Sequence, residues 1–237
     1  MTGNLTGVKC FGRIDVGERV QVEANAVMYG PVKVGDSTFI GPNTVLGFPS
    51  KKELSEAVIQ GKIFHENPDR AILIIGRGCI IRAGVCLYSG VFVHDSVLFG
   101  HNTTIREDTV IGARTTIGTN VVVDGSCKIG EHVSVQTGAY VCPHSVIEDA
   151  VFLGPHVVLA DDKYVTQRKT KLIGPTIRRG ASVGANALLM PGVEIGAGAV
   201  IGAYSLVMHD VPPRTIYAGV PASRLKKVPA NWHSSLL

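Results

Sequence analysis

Two of the eight histidines stand in sequence neighbourhoods that could move protons. His144 is closely followed by Glu148 and Asp149, and His94 is followed directly by Asp95. An imidazole beside a carboxylate suits general acid–base chemistry, because the ring titrates near neutral pH and the carboxylate can orient it. A third group is basic. Arg224, Lys226 and Lys227 follow Gly219-Val220-Pro221-Ala222 and could screen an anionic ligand. The five cysteines form no C-x-x-C, and no metal is expected.

What must position these residues is a period of six. From Ile75 an aliphatic or aromatic residue returns at every sixth place, through Ile81, Leu87, Val93, Phe99, Ile105 and onward to Leu159. Four places behind each member runs a second column of small or β-branched residues, among them Cys79, Val85, Thr103, Thr109, Thr115, Cys127 and Ser145. Neither an amphipathic helix nor an ordinary strand gives a strict six. A hexapeptide repeat does, and it predicts a parallel β-helix: short strands joined by tight turns, the large residue inward and the small one filling the corner. His132, His144 and His156 share the fourth place of their hexads, a turn position that Asn or Gly often fills.

Upstream the same period runs in another phase, through Val16, Val22, Met28, Val34, Ile40 and Leu46. It stops across 48–70. Ser50-Lys51-Lys52-Glu53 fits a capping box and predicts a short helix through Ile59. Phe64 to Arg70 reads as an exposed loop that either touches substrate or covers something. A second excursion, 160–176, is polar from Asp161 to Lys171, and Ile177, Val183 and Leu189 then resume in step. Asp210-Val211-Pro212-Pro213 is expected to end the repeats, since successive prolines cannot continue a strand ladder. Ser223 to Lys227 predicts a short basic helix within a tail at 210–237. Nothing reads as a linker, so 1–237 is expected to form a single domain.

Composition narrows the function classes. A net charge of +4 suits an anionic small ligand, and no basic run or aromatic-interleaved patch supports nucleic acid. No apolar stretch is long enough for a membrane span, and the amino terminus MTGNLTGVKC lacks a signal-peptide core. Cys79 and Cys127 lie in the inward small column and read as reduced core residues, which points to a cytoplasmic location.

The chain resembles the hexapeptide-repeat, left-handed β-helix acyltransferases. The resemblance is carried by Phe152-Leu153-Gly154-Pro155, Asp161-Asp162-Lys163-Tyr164, Gly174-Pro175-Thr176, Gly180-Ala181-Ser182-Val183-Gly184-Ala185-Asn186-Ala187 and the closing Ala218-Gly219-Val220-Pro221-Ala222. It is nearest to enzymes that N-acetylate amino groups on nucleotide-linked sugars. It implies an all-β, left-handed parallel β-helix, a homotrimer, and coenzyme A lying in a groove between coils of neighbouring subunits. Left-handed crossovers oppose the general right-handed rule. His94-Asp95 resembles the His-Asp element of some sugar acyltransferases in this superfamily.

Coil counting argues for a different centre. With three hexads to a coil, as the resemblance implies, His94 lies six coils from Ala203, about 29 Å. An extended coenzyme A reaches only about 20 Å, which brings its thiol to Val135–Pro155, beside the second excursion. His144, Glu148 and Asp149 lie in that window, with Asp149 two coils below Ala185 in one column. Ala185, Ala203, Pro221, Arg224, Lys226 and Lys227 are expected to hold the cofactor. His94, His101 and Arg106 would then meet a nucleotide moiety further down, together with the first excursion.

The expected activity is therefore acetyl-CoA-dependent acylation of the amine of a nucleotide-linked amino sugar. O-acetylation of a small hydroxyl acceptor is the alternative among transferases. A zinc-dependent carbonic anhydrase-like protein and a non-catalytic scaffold are the alternatives from other classes, and no two histidines show the spacing that such hydratases use.

Overall fold

Each hexad becomes a strand of mostly two residues followed by a four-residue turn, and the inward large residue is what the coil winds around. The computed structural model describes residues 6–64, 67 and 69–236. Ile75, Ile81, Leu87, Val93, Phe99, Ile105, Ile111 and Ile117 are all at most 1% exposed, as are Cys79, Val85, Val91 and Val97 in the small column. Thr103, Thr109 and Thr115 are fully buried in that column too. The Thr103 and Thr115 hydroxyls donate to the Gly118 and Gly130 carbonyls at 2.7 and 2.8 Å, so each corner hydroxyl is satisfied by the next turn.

Successive strands are handed round three sheets of ten, nine and eleven strands, parallel except for the last strand of the eleven, forming a triangular β-solenoid. One circuit takes eighteen residues in the regular part: Phe92 pairs with Val110, and Leu98 with Thr116. The prism has three edges. We name them by the sheets they join in chain order: the 10/9, 9/11 and 11/10 edges. The fourth place of many hexads adopts a left-handed backbone, including Asn102, Asn120, His132, His144 and His156. These histidines therefore stand where Asn or Gly is the usual occupant.

The first excursion leaves the ten-stranded sheet after the strand Val45–Phe48 and rejoins the nine-stranded sheet at Leu73–Ile75. It carries α1 (Lys51–Gln60), opened by the expected capping box: Ser50 Oγ accepts the Glu53 N–H, and Glu53 accepts the Ser50 N–H. Arg70 corrects the expectation of an exposed loop. Its side chain is 1% exposed, donates to the Gly30 and Gly47 carbonyls at 2.6 Å each, and pairs with Glu53 at 3.0 Å. The excursion lies over the coil because its last residue is pinned beneath it. His65, Glu66 and Pro68 of the expected loop lie outside the described residues.

The second excursion, 160–175, also replaces a turn between the ten- and nine-stranded sheets. Val146 pairs with Thr176, thirty positions on, so twelve residues are surplus over the regular eighteen. Twelve is a multiple of six, so the phase is kept while the column is not. This overturns the expected stacking of Asp149 under Ala185. Asp149 lies beneath the Arg179–Gly180 turn, whose Gly180 N–H bonds the Asp149 carbonyl, and Ala185 lies above Pro155.

Two further expectations are corrected at the carboxyl end. Pro212-Pro213 does not end the coil. The strand Thr215–Ala218 follows, parallel to Val200–Ile201, because the prolines fall in a turn where no ladder N–H is required. Ser223–Lys227 is a strand rather than a helix, paired antiparallel with Thr215–Ala218. Five exposed residues cannot repay helix nucleation, whereas the open edge of the eleven-stranded sheet offers them backbone partners.

Candidate active site on one edge of the solenoid

Both excursions leave from the 10/9 edge, and they bracket a set of polar side chains that the spacing in sequence does not reveal. Between the strands Val45–Phe48 and Val158–Leu159 lie five strand steps, about 24 Å. Four regular turns occupy that interval. Along them stand Tyr88, Arg106, Asp124 and Cys142 in one column, with Tyr140 and His144 beside it.

The cluster is tied together by charge. Arg106 pairs with Asp124 and forks onto Glu107, with Nη2 to Oε1 at 2.8 Å. Tyr140 Oη donates to Asp124 Oδ2 at 2.8 Å. Burial and then this bond hold the Tyr140 phenol well above its ordinary pKa, with the Asp161 charge adding to the effect, so it stays a donor at neutral pH. Asp124 and Arg106 keep a quarter and a third of their side-chain surface exposed, open enough to meet a ligand. The Arg106 guanidinium also lies 5.9 Å from the Tyr88 ring centroid, and Tyr88 packs edge-on against Phe48 at 5.1 Å.

His144 belongs to this edge. It is exposed, left-handed at φ 62°, and makes no side-chain hydrogen bond among the described residues, so its ring is available. Glu148 and Asp149 lie across the strand Val146–Ile147, on the 9/11 edge, and both are engaged there. Glu148 accepts from Arg178 at 2.8 Å and from the Arg179 N–H at 2.9 Å, and Asp149 accepts the Glu131 N–H at 2.9 Å. His94 is on the 9/11 edge as well, packed against Phe92 with ring centroids 4.7 Å apart. Its neighbour Asp95 turns to Arg77 instead, accepting the backbone N–H at 2.8 Å and the guanidinium at 3.0 Å. The Arg77 N–H first, and then its side chain, hold that carboxyl below the usual range. Because of the twelve surplus residues, His94 stands five strand steps rather than six from the level of Ala203, about 24 Å.

Ala185 and Ala203 stack on the 11/10 edge, where the Tyr204 N–H donates to the Ala185 carbonyl at 2.8 Å. Gly184 beneath them has no room for a side chain, since a Cβ there would meet the Ala203 nitrogen at 2.5 Å. The result is a bare backbone shelf. Above it, Pro221 sits in the turn of the closing hairpin, and Arg224, Lys226 and Lys227 lie on its exposed strand without a carboxylate partner among the described residues. His101, in the turn after Leu98–Phe99, is also on the 11/10 edge, so of His94, His101 and Arg106 only Arg106 joins the first excursion.

Burial pushes the thiols of Cys86 and Cys142 up to about 11 and that of Cys127 up to about 12, which disfavours their thiolates. Among the described residues no group of three or more His, Cys, Asp or Glu could hold a metal ion, and no helix is long and apolar enough to cross a membrane.

Comparison with known proteins fits this architecture. Residues 13–47 and 174–209 match the bacterial transferase hexapeptide family, and residues 103–143 match the hexapeptide repeat of succinyl-transferase. A chloramphenicol acetyltransferase of Morganella morganii is 49% identical over 55 residues, covering 23% of this chain and 26% of that protein. A serine acetyltransferase of Escherichia coli K12 is 52% identical over 48 residues, covering 20% of this chain and 18% of that protein. The chain thus spans about a quarter or less of these curated relatives. An Arabidopsis UDP-N-acetylglucosamine acyltransferase structure shares the fold over 95% of this chain and 69% of its own, with TM-score 0.53 and 16% identity. Stretches of the chain therefore match hexapeptide-repeat models of bacterial transferases, and its fold is one that a solved acyltransferase shares.

Proposed function

We propose that the protein is an acetyl-CoA-dependent acyltransferase that acetylates the amine of a nucleotide-linked amino sugar, working as a cytoplasmic homotrimer. The observation that carries the acyl-transfer reading is the near 50% identity of short segments to two acetyltransferases, within a chain whose repeats match transferase families. The Ala185–Ala203 shelf admits a pantetheine arm close to backbone, and Arg224, Lys226 and Lys227 supply positive charge for its phosphates. His144 and this shelf stand on different edges of one chain. A closed cyclic trimer that sets the 11/10 edge of one copy against the 10/9 edge of the next would bring them together.

In the reaction the amine nitrogen attacks the thioester carbon, the carbon–sulfur bond breaks, and the coenzyme leaves as a thiol. One proton passes from nitrogen to sulfur. In this reading His144 takes it and gives it back, with Glu148, Asp149 and His94 outside that path unless a neighbouring copy supplies them.

The test is thiol release from acetyl-CoA with a panel of amine and hydroxyl acceptors, after light scattering has measured the assembly. His144→Ala should lower kcat by about 10²–10⁴-fold. His94→Ala, on the 9/11 edge, should leave kcat unchanged. Turnover lost in His94→Ala and kept in His144→Ala would move the centre to the 9/11 edge. A hydroxyl acceptor is the second reading, favoured by the acceptors that name both curated relatives, since serine and chloramphenicol carry aliphatic hydroxyls. Hydroxylamine separates the products, cleaving an ester and sparing an amide.

A further inference from the structure

The first excursion builds a cavity that the transfer chemistry above does not use. It measures about 360 Å³ and is lined by Phe48, Pro49, Lys51, Leu54, Ser55, Tyr88 and Arg106. One wall is aromatic, formed by Phe48 and Tyr88 at 5.1 Å. The first turns of α1 also line it, with Leu54 half-buried and Lys51 exposed at its start. Arg106 lines it too and is the link to the rest of the edge, because it is the same side chain that pairs with Asp124, which in turn accepts from Tyr140.

The cavity and the cluster therefore form one track. From Tyr88 the column rises one strand step to Arg106, another to Asp124 and another to the Cys142 turn that carries His144, about 14 Å in all. Its chemistry changes along the way. The lower end offers two rings and an aliphatic side chain to a flat face. The middle offers a carboxylate whose two oxygens each take one protein donor, leaving further lone pairs free for a ligand's hydroxyl or amine hydrogens. The Arg106 guanidinium between these ends is shared by Glu107 and Asp124.

The geometry points to this track as the acceptor subsite: a planar ring lodges at the foot of α1 against Tyr88 and Phe48, and the hydroxyl- or amine-bearing end of the same acceptor is held by Asp124 and Tyr140 on the His144 side. The assignment rests on the acyltransferase reading for the meaning of "acceptor", and not for the binding itself. Asp124 and Tyr140 are positioning residues here: they hold the acceptor and do not carry the transferred proton.

The experiment is calorimetric titration of the full chain with UDP-glucosamine, which carries a planar base and an amino sugar in one molecule. Asp124→Asn should weaken its binding about tenfold, the usual cost of losing a hydrogen bond to a charged group. Tyr140→Phe, which keeps the ring and removes only the donor, should weaken it about threefold. Acetyl-CoA affinity should be unchanged in both, and in steady state both should raise acceptor KM with kcat kept. Equal binding by wild type and Asp124→Asn, or no binding of UDP-glucosamine by wild type at millimolar concentration, overturns the subsite. A larger loss in His94→Ala, on the 9/11 edge, than in Asp124→Asn overturns it too. If Asp124-dependent binding is found while no thiol is released from acetyl-CoA, the subsite stands and the acyltransferase reading falls.

Discussion

The two excursions interrupt the same edge of the solenoid and are held in opposite ways. The first is fastened by a buried ion pair. Arg70 reaches under the segment to two coil carbonyls and Glu53, and Ser89 adds a hydroxyl to the same carboxylate at 2.6 Å. Above that clamp α1 buries nothing, and Val58 and Ile59 are 81% and 83% exposed. The second has no buried anchor of this kind among its described residues. Asp162 accepts the Tyr164 and Thr166 N–H groups, and the Ile173 N–H closes onto the Asp161 carbonyl at 3.1 Å. Val165 and Thr166 are both left-handed, a strained choice for β-branched residues. One wall of the candidate site is thus fixed by electrostatics, and the other is a turn that local hydrogen bonds hold against strain.

The sharpest way to break this contrast is Arg70→Ala. It leaves the Glu53 carboxylate half-enclosed without its cation and two carbonyls without donors, and should cost about 3–5 kcal/mol in chemical denaturation. A loss under about 1 kcal/mol would mean that the first wall is no better anchored than the second.

Removing residues 162–173, the twelve surplus over a regular circuit, should leave the unfolding midpoint within about 1 kcal/mol of wild type, because the flanking strands can close with a normal turn. Acceptor KM should rise about tenfold if that wall positions the acceptor. A protein that fails to fold without it would show that the second excursion is structural.

A smaller effect separates the walls by pH. Burial favours the neutral form of Glu53, and the hydrogen bonds from Ser89, Ser50 and Arg70 outweigh it, so its pKa in the folded protein lies below the ordinary 4.5. The stability this supplies is present above pH 4.5 and is lost as pH falls through the lower folded value. Amide exchange in α1 should therefore accelerate in that acid window, and Glu53→Gln should flatten the response. The same profile in α1 of wild type and Glu53→Gln would assign the acid sensitivity elsewhere.

Much of this molecule is written in the sequence itself. A large apolar residue at every sixth place and a small one four places behind can be buried together only by a coil of short strands, so Ile75 to Leu159 specify their own inward face. The capping box at Ser50–Glu53 is equally local, since both of its bonds lie within four residues. The edges are not local. Which edge a turn occupies depends on counting by eighteen, and a twelve-residue insertion preserves the six-residue phase while moving every later residue two edges round. That is why Asp149 and Ala185 look stacked in sequence and are not, and why Glu148 and Asp149 look adjacent to His144 yet face another edge. Tyr140, Asp124 and Arg106 carry no motif at all. They meet because parallel strands place residues eighteen apart one above the next, and only the closed circuit of three sheets decides that both excursions and His144 share their edge.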